Sequence, residues 1–401
     1  MHNDPATAAS VAGPSALAVA AAGLVALAVA MGIGRFAFTP IMPMMEADAG
    51  LTLRAAGWLA AANYLGYLVG ALCAARVGRT WAMRGGLLIT AVVTFAMGVA
   101  DDFALQLVLR FIAGVASAWV LVHVSAWALA RLLVLRRTRS NGVVFAGVGI
   151  GIAGAGLISM ALMAARIDSR GTWEIFGVLS LVLTIACWKA LRGEGSSSTA
   201  PAPPARGPVR LRWNADRVRL AVCYGAFGFG YIIPATYLPN MAHAYIPDPF
   251  VFGWAWPVFG TAAALSTWAS SRWLPRFDNR RLLALAYVAM AVGNLLPAVL
   301  GGLAPILIAA LLVGGTFMIC TMAGLAEARV IGGAQATALI AAVTASFALM
   351  QVVGPVVVSA VAHLRGGFVG ALLAATAVLL LAAAWLWHSA RDGLPTREVS
   401  A

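Results

Sequence analysis

Apolar residues run through this chain in long unbroken blocks, with the polar residues gathered between them. Twelve blocks reach about 18 residues or more, the length a helix needs to cross a bilayer. They lie near 15–45, 55–75, 83–100, 103–130, 142–165, 172–191, 218–242, 251–273, 282–301, 303–326, 334–362 and 367–388. Because they are continuous rather than alternating, they predict helices and not the strands of a barrel. The first block follows a tail with Asp4 and no Lys or Arg, and it is too long for a signal peptide, so it counts as the first span. Composition agrees: 62% of the residues are hydrophobic and 10% charged, with a mean hydropathy of +0.90, whereas soluble chains carry about 25% charged residues.

The pattern repeats. Gly32-Ile-Gly34-Arg35-Phe36-Ala37-Phe38-Thr39-Pro40-Ile41-Met42-Pro43-Met44-Met45 aligns without a gap on Gly228-Phe229-Gly230-Tyr231-Ile232-Ile233-Pro234-Ala235-Thr236-Tyr237-Leu238-Pro239-Asn240-Met241. The same offset carries Gly57-Trp58 onto Gly253-Trp254. Between the copies, Gly193–Arg212 holds a serine run and Pro201, Pro203, Pro204 and Pro208, which reads as a linker without apolar periodicity. The expected organisation is a six-span half over 1–192, a linker over 193–214 and a second six-span half over 215–401, with no catalytic domain outside the membrane. Two parallel halves are a layout of secondary transporters, whose site lies between the repeats.

The formal charge of +13 invites a nucleic-acid reading, which its distribution excludes. Arg76, Arg79, Arg84, Arg131, Arg136, Arg137, Arg139, Arg272, Arg276, Arg280 and Arg281 fall on one side of the predicted topology, with the residues flanking the linker. The other side holds Arg54, Arg166, Arg170 and Arg365. This bias places both termini in the cytoplasm. Cys73, Cys187, Cys223 and Cys320 all lie in spans and read as packing residues. The histidines are scattered, so neither a metal nor another cofactor is expected.

Polar residues inside the spans are the candidate chemistry. Arg35 interrupts the first span, where a charge costs about 2.5–3.5 kcal/mol on insertion scales. It either reaches the headgroups, pairs with Glu46 or Asp48, or faces a cavity and holds an anionic group, with Thr39 on its helix face. Arg110 shares a face with Gly114, Ser117 and Ser125, which suits a water-filled cavity or close helix packing. His123 lies on another face and reads as a packed residue. In the second span Asn63, Gly66, Tyr67 and Gly70 share a face with Tyr64 nearby, offering neutral donors or interhelical hydrogen bonds. Tyr231 replaces Arg35 in the second copy. Tyr237, Asn240, Asn294 and Gln351 are further substrate-binding candidates, and Trp256 and Trp268 are candidate pocket walls. Gly32, Gly34, Pro40 and Pro43 in the repeat are candidate gating positions. The acids fall in the expected tails, loops and span ends, with Glu327 among them, so no central Asp/Glu proton relay is expected in the spans.

The residues also carry a resemblance. Two sets of six spans are similar to the major facilitator superfamily. Leu107-Val-Leu-Arg110-Phe-Ile-Ala-Gly114 resembles its span-four signature, and Arg76-Val77-Gly78-Arg79 resembles the end of its loop signature between spans two and three. The Asp expected before Arg76 is Ala75, which removes the charge relay built on it. Span five, with Gly147, Gly149, Gly151, Gly154 and Gly156, resembles the glycine-rich motif of the superfamily but lacks its proline. Gly32–Met45 with Ala56-Gly57-Trp58 through Tyr67 resembles more narrowly the YbfB/YjiJ-type branch. The resemblance implies twelve transmembrane helices in two pseudo-symmetric bundles, a multi-pass bacterial inner-membrane protein, and gating roles for Arg76, Gly78, Arg79, Gly114, Gly151 and Gly154. It also implies a cavity role for Arg110, so that Arg110→Lys is expected to weaken binding more than Arg35→Ala.

These readings converge on alternating-access transport of a small anionic or polar organic solute by a monomer in the lipid bilayer, with protons as a candidate coupling ion. A multidrug or metabolite exporter is the alternative, followed by a non-transporting receptor. An embedded enzyme would need a convergent catalytic set that the sequence does not offer.

Overall fold

The computed structural model describes residues 15–137, 140–191, 211–246, 248–273, 277–361, 363–364 and 366–390. Most of the expected linker, residues 193–210, lies outside the described residues, as do Arg139, Arg276 and Arg365.

Among the described residues twelve long helices follow in order: α1 (Ala16–Asp48), α2 (Leu53–Cys73), α3 (Arg79–Val99), α4 (Phe103–Val134), α5 (Asn141–Ala164), α6 (Ser169–Cys187), α7 (Ala215–Tyr245), α8 (Ala255–Trp273), α9 (Asn279–Val299), α10 (Leu303–Gly332), α11 (Ala336–Val361) and α12 (Gly367–His388). No strand occurs among the described residues. Eleven of the helices are long and apolar enough to cross a membrane; α8, whose apolar run is interrupted by Thr261, Ser266, Thr267 and Ser270, falls outside that set. The acids between spans have local work. Asp102 accepts from the amide of Leu105 at 2.8 Å, and Asp168 and Asp278 likewise cap α6 and α9, satisfying amides that a helix start leaves open.

The packing has two-fold character. In the first half α1 packs on α5, α2 on α4 and α3 on α6; in the second, α7 packs on α11, α8 on α10 and α9 on α12. Across the halves α2 meets α11 and α5 meets α8, two contacts that exchanging the halves interchanges. Leu72, Val92, Leu181, Leu265 and Leu381 stand exposed on the outer surface, while Asn63, Asn294, Gln351 and several threonines are buried inside. Such an inverted pattern suits a molecule surrounded by lipid.

Close crossings depend on absent side chains. A Cβ on Gly149 would lie 2.6 Å from the carbonyl oxygen of Gly260 in α8, and one on Gly151 would lie 2.7 Å from that of Ala28 in α1. The glycines of α5 therefore serve two opposite neighbours. Gly154 does not join them: nothing lies within 4 Å of a Cβ built there, so its expected place in a packed gating face is corrected. Gly78 caps the start of α3 in open space, with Arg76 and Arg79 exposed beside it.

The pseudo-symmetry breaks at the repeat itself. α1 is α-helical over Ala16–Leu27, π-helical over Ala28–Ile33, open from Gly34 to Ala37 and helical again over Phe38–Asp48. The equivalent stretch of α7 stays helical throughout, although it contains Pro234 and Pro239. The difference follows from where the prolines fall. Pro40 sits in the first turn of the restarted helix, where a missing N–H leaves nothing unpaired. Each proline of α7 instead frees a carbonyl four residues earlier, and side chains of other helices answer both: Asn294 Nδ2 donates to Gly230 O at 2.8 Å, and Thr39 Oγ1 to Ala235 O at 3.1 Å.

Candidate functional site

The break in α1 turns backbone into a site. Gly34 N and Phe36 N reach five residues back, to the carbonyls of Val29 and Met31 at 2.9 and 3.1 Å, and the carbonyls of Gly34 and Arg35 are left without helical donors. Side chains of α2 and α4 take them up. Arg110 Nη2 donates to Arg35 O at 3.2 Å and Nη1 approaches Gly34 O at 3.5 Å; Asn63 Nδ2 donates to Arg110 O at 2.9 Å and lies 3.4 Å from Gly34 O. Gly66, Gly70 and Gly114 let α2 and α4 approach closely enough for this. Arg110 is thus a buried cation tied to backbone oxygens, its guanidinium 4.8 Å from the Phe38 ring centroid. That is the geometry of a residue that fixes the break.

Arg35 projects from the break and is 2% exposed. It neither reaches the surface nor pairs with an acid. Its Nη2 donates to Gln351 Oε1 of α11, and its guanidinium lies 4.1 Å from the ring centroid of Tyr67 and 5.0 Å from that of Tyr64. The two acids offered as partners are engaged elsewhere: Glu46 accepts from Asn240 Nδ2 of α7, and Asp48 from the amide and hydroxyl of Ser169 at 2.5 and 2.7 Å. A buried guanidinium thus has neutral side-chain partners, the amide of Gln351 and the phenol of Tyr67, and its Nε has none among the described residues.

Around Arg35 the two halves meet. Tyr64 hydroxyl is 3.0 Å from Thr236 Oγ1, which itself donates to Ile232 O, so the phenol is the donor. Ser359 Oγ of α11 donates to Arg54 O at 2.9 Å. With Arg35–Gln351, Thr39–Ala235 and Glu46–Asn240, these form five hydrogen bonds between the halves. They run from the middle of the bundle, at Arg35–Gln351 and Tyr64–Thr236, toward the end opposite the one where α6 finishes and α7 begins, here called the linker end.

On the other side of Arg35 stands an aromatic cluster. Phe36 approaches Trp256 with centroids 6.2 Å apart, Trp256 stacks on Phe259 at 4.9 Å, and Tyr231 stacks on Phe317 at 4.6 Å with planes 9° apart. Tyr231 hydroxyl, Trp256 Nε1 and Tyr237 hydroxyl are buried without partners among the described residues. Most predicted site residues therefore gather: Arg35, Thr39, Asn63, Tyr64, Tyr67, Arg110, Tyr231 and Gln351 centrally, Tyr237 and Asn240 nearer the opposite end. Asn294 caps a freed carbonyl, and Trp268 is half exposed rather than a pocket wall. His123 is a packed residue, 2.9 Å from Ala74 O at the end of α2. Phe347 also stacks on Tyr231 at 6.3 Å, and the sequence gives no sign of Phe259, Phe317 or Phe347, since a phenylalanine in an apolar run carries no signal of its own.

A second omission lies at the linker end. α10 continues to Gly332, past the boundary expected at 326, so Glu327 is inside a helix and 4% exposed. It accepts from Arg280 Nε at 2.6 Å, and Arg280 also meets Asp216 at 3.2 Å. The Arg280–Glu327 pair is buried while Asp216 is part exposed, and hydropathy places Glu327 only at a span end.

A model of the family described as uncharacterised MFS-type transporter YbfB matches residues 27–386. The chain is 26% identical over 220 residues to the uncharacterized MFS-type transporter YceJ of Bacillus subtilis (strain 168), covering 52% of this chain and 54% of that one. It is 28% identical over 209 residues to a chloramphenicol resistance protein of Streptomyces lividans, covering 51% and 53%. The chain spans about half the length of these curated relatives in each match. Crystal structures of the nucleoside transporter NupG superpose with a TM-score of 0.69 and, for a mutant form, 0.70, at 13% and 14% identity, covering 93% of this chain and 98% and 99% of theirs; that likeness bears on the fold alone. The resemblance read from the sequence is borne out: the chain belongs to the YbfB-type family of the major facilitator superfamily, as a multi-pass membrane protein of the MFS transporter fold.

Proposed function

We propose that the chain moves a small anionic organic solute across the bacterial inner membrane by alternating access, with Arg35 as the residue that contacts it. One observation carries this reading: a buried guanidinium at the meeting of the two halves, held by the neutral Gln351 and by aromatic rings instead of a carboxylate. A desolvated cation without an anion gains strongly from one, and a carboxylate or phosphate fits its fork. Arg110 acts behind it by fixing the break in α1, so the order expected from sequence, Arg110 before Arg35, is reversed.

Alternating access finds support in the hydrogen bonds that join the halves away from the linker end. Breaking these five while the glycine crossings of α5 hold would open the site on that side. The concentration of arginine at the linker end supports a cytoplasmic location for that end and for both termini. Proteoliposome flux of a ligand found by thermal-shift screening tests the proposal, because a ligand that binds only the folded chain raises its melting temperature. A cationic ligand, or flux unchanged in Arg35→Gln, defeats it.

Export of a neutral aromatic compound is the second reading. It is favoured by the stacked rings of Tyr231, Phe317, Trp256 and Phe259 and by the likeness to a chloramphenicol resistance protein. Flux that favours uncharged aromatic molecules and survives Arg35→Gln would select it.

A further inference from the structure

At the linker end of α7, α9 and α12, remote from Arg35, a cavity of about 300 Å³ is lined by Asp216, Arg219, Arg280, Trp385, His388 and Ser389. We infer that it seats the phosphate of an anionic phospholipid headgroup.

The donors in its wall are only partly answered. Arg280 is 4% exposed; its Nε bonds Glu327, and its Nη1 bonds Ser389 O at 2.7 Å and Asp216 at 3.2 Å. Its Nη2 is buried and has no partner among the described residues. Arg219 Nη1 bonds Asp216 at 2.6 Å, its Nε is likewise unpartnered, and its guanidinium lies 5.7 Å from the Trp385 ring centroid. Two guanidinium groups thus border one hollow, and each carries beside it a buried donor atom with no partner among the described residues. Among the described residues Asp216 is the sole carboxylate of that lining, and both arginines already bond it. A tetrahedral phosphate presents several oxygens at the spacing that arginine forks bind.

The surroundings favour a lipid as its source. On α12, Leu381 is 72% and Trp387 50% exposed, so the cavity opens beside an apolar surface that faces the bilayer. Tryptophan concentrates at the headgroup level of membranes, and Trp385 forms one wall of the cavity. The same end of the bundle carries Arg217, Arg281 and Arg329. Basic pockets between spanning helices, opening at the headgroup level on the cytoplasmic side, suit anionic headgroups. The triad of Glu327, Arg280 and Asp216 ties α7, α9 and α10 together at this point, so a lipid seated there would brace the ends of the second half.

The test uses the full chain in detergent with phosphatidylcholine, with phosphatidylglycerol or cardiolipin added, read by native mass spectrometry and thermal melting. Anionic lipid should be retained in preference to phosphatidylcholine and should raise the melting temperature. Arg219→Ala and His388→Gln should each lower retention, the former about fivefold, while Arg219→Lys falls between Arg219→Ala and wild type, keeping the charge and losing the fork. Melting in phosphatidylcholine alone shows whether each variant is folded. His388 is exposed, so its variant carries the test should Arg219→Ala not fold. Equal retention of neutral and anionic lipid, or unchanged retention in the folded variants, overturns the inference. Displacement of the lipid by millimolar inorganic phosphate overturns its lipid assignment and leaves a soluble-anion site.

Discussion

Arg35 Nη2 in α1 donates to Gln351 Oε1 in α11, a residue 316 positions away, across the meeting of the two halves. A charged donor held by a neutral acceptor can exchange it for a better one. The first prediction follows: Arg35→Gln lowers affinity for an anionic ligand at least about tenfold, because a hydrogen bond to a charged group is worth about 1.5–3 kcal/mol. Arg35→Lys falls between, keeping charge and losing the fork. Titration calorimetry on the purified variants measures both, and anion affinity equal to wild type in Arg35→Gln removes Arg35 from the site.

Arg110 should behave differently. Arg110→Ala strands the carbonyl of Arg35 in a buried place, at about 1–3 kcal/mol for the unsatisfied group, and leaves Gly34 O to Asn63 alone. The expected result is a marked fall in melting temperature with or without ligand. A variant that melts with wild type yet no longer binds would return Arg110 to ligand contact.

How far the sequence reached can be judged from these two arginines. Each was visible because a charge inside an apolar run is expensive, and Asn63 and Gln351 stood out for the same reason. Their partners were not visible, since Arg35–Gln351 and Arg110–Gly34 are contacts between distant parts of the chain that no local pattern encodes. The repeat marked the two helices that carry the break and its counterpart. It did not say that Pro40 would restart a broken helix while Pro234 and Pro239 would be absorbed, because that depends on Asn294 and Thr39 arriving from other helices. The burial of Glu327 was hidden for a simpler reason: hydropathy ends a span where polar residues begin, and α10 continues past that point.

The glycines of α5 make a paired test. Gly151→Leu drives a side chain into the backbone of α1 and should reduce folded yield or abolish transport. Gly154→Leu meets open space and should retain folding. Size-exclusion profiles of the two variants, compared with wild type, check the contrast; equal disruption by both would contradict the packing of α5.

Sidedness is tested by fusion. A reporter active only outside the cytoplasm should be silent when fused after Ser197 or Glu398, both outside the described residues, and active near Asp248. Activity at Ser197 would reverse the topology and with it the assignment of the linker end to the cytoplasm.

The sharpest test converts the neutral partner into an anion. Gln351→Glu places a carboxylate where Arg35 already donates, about one hydrogen bond away in a buried setting. The pair would satisfy Arg35 internally, with the geometry and low local dielectric that make charge-assisted bonds strong. An anionic ligand must then displace a tethered carboxylate, so its affinity should fall about as far as in Arg35→Gln. The two variants separate in the absence of ligand. Arg35→Gln removes the donor and should melt no higher than wild type, whereas Gln351→Glu binds α1 to α11 more tightly and should melt higher. Adding Arg35→Gln to Gln351→Glu leaves a buried carboxylate without its cation, which should reverse the gain and destabilise the chain by about 3–5 kcal/mol relative to the single variant. Undiminished anion binding by Gln351→Glu would mean that the ligand does not compete for the fork of Arg35, and Arg35 would no longer be the residue that contacts the solute.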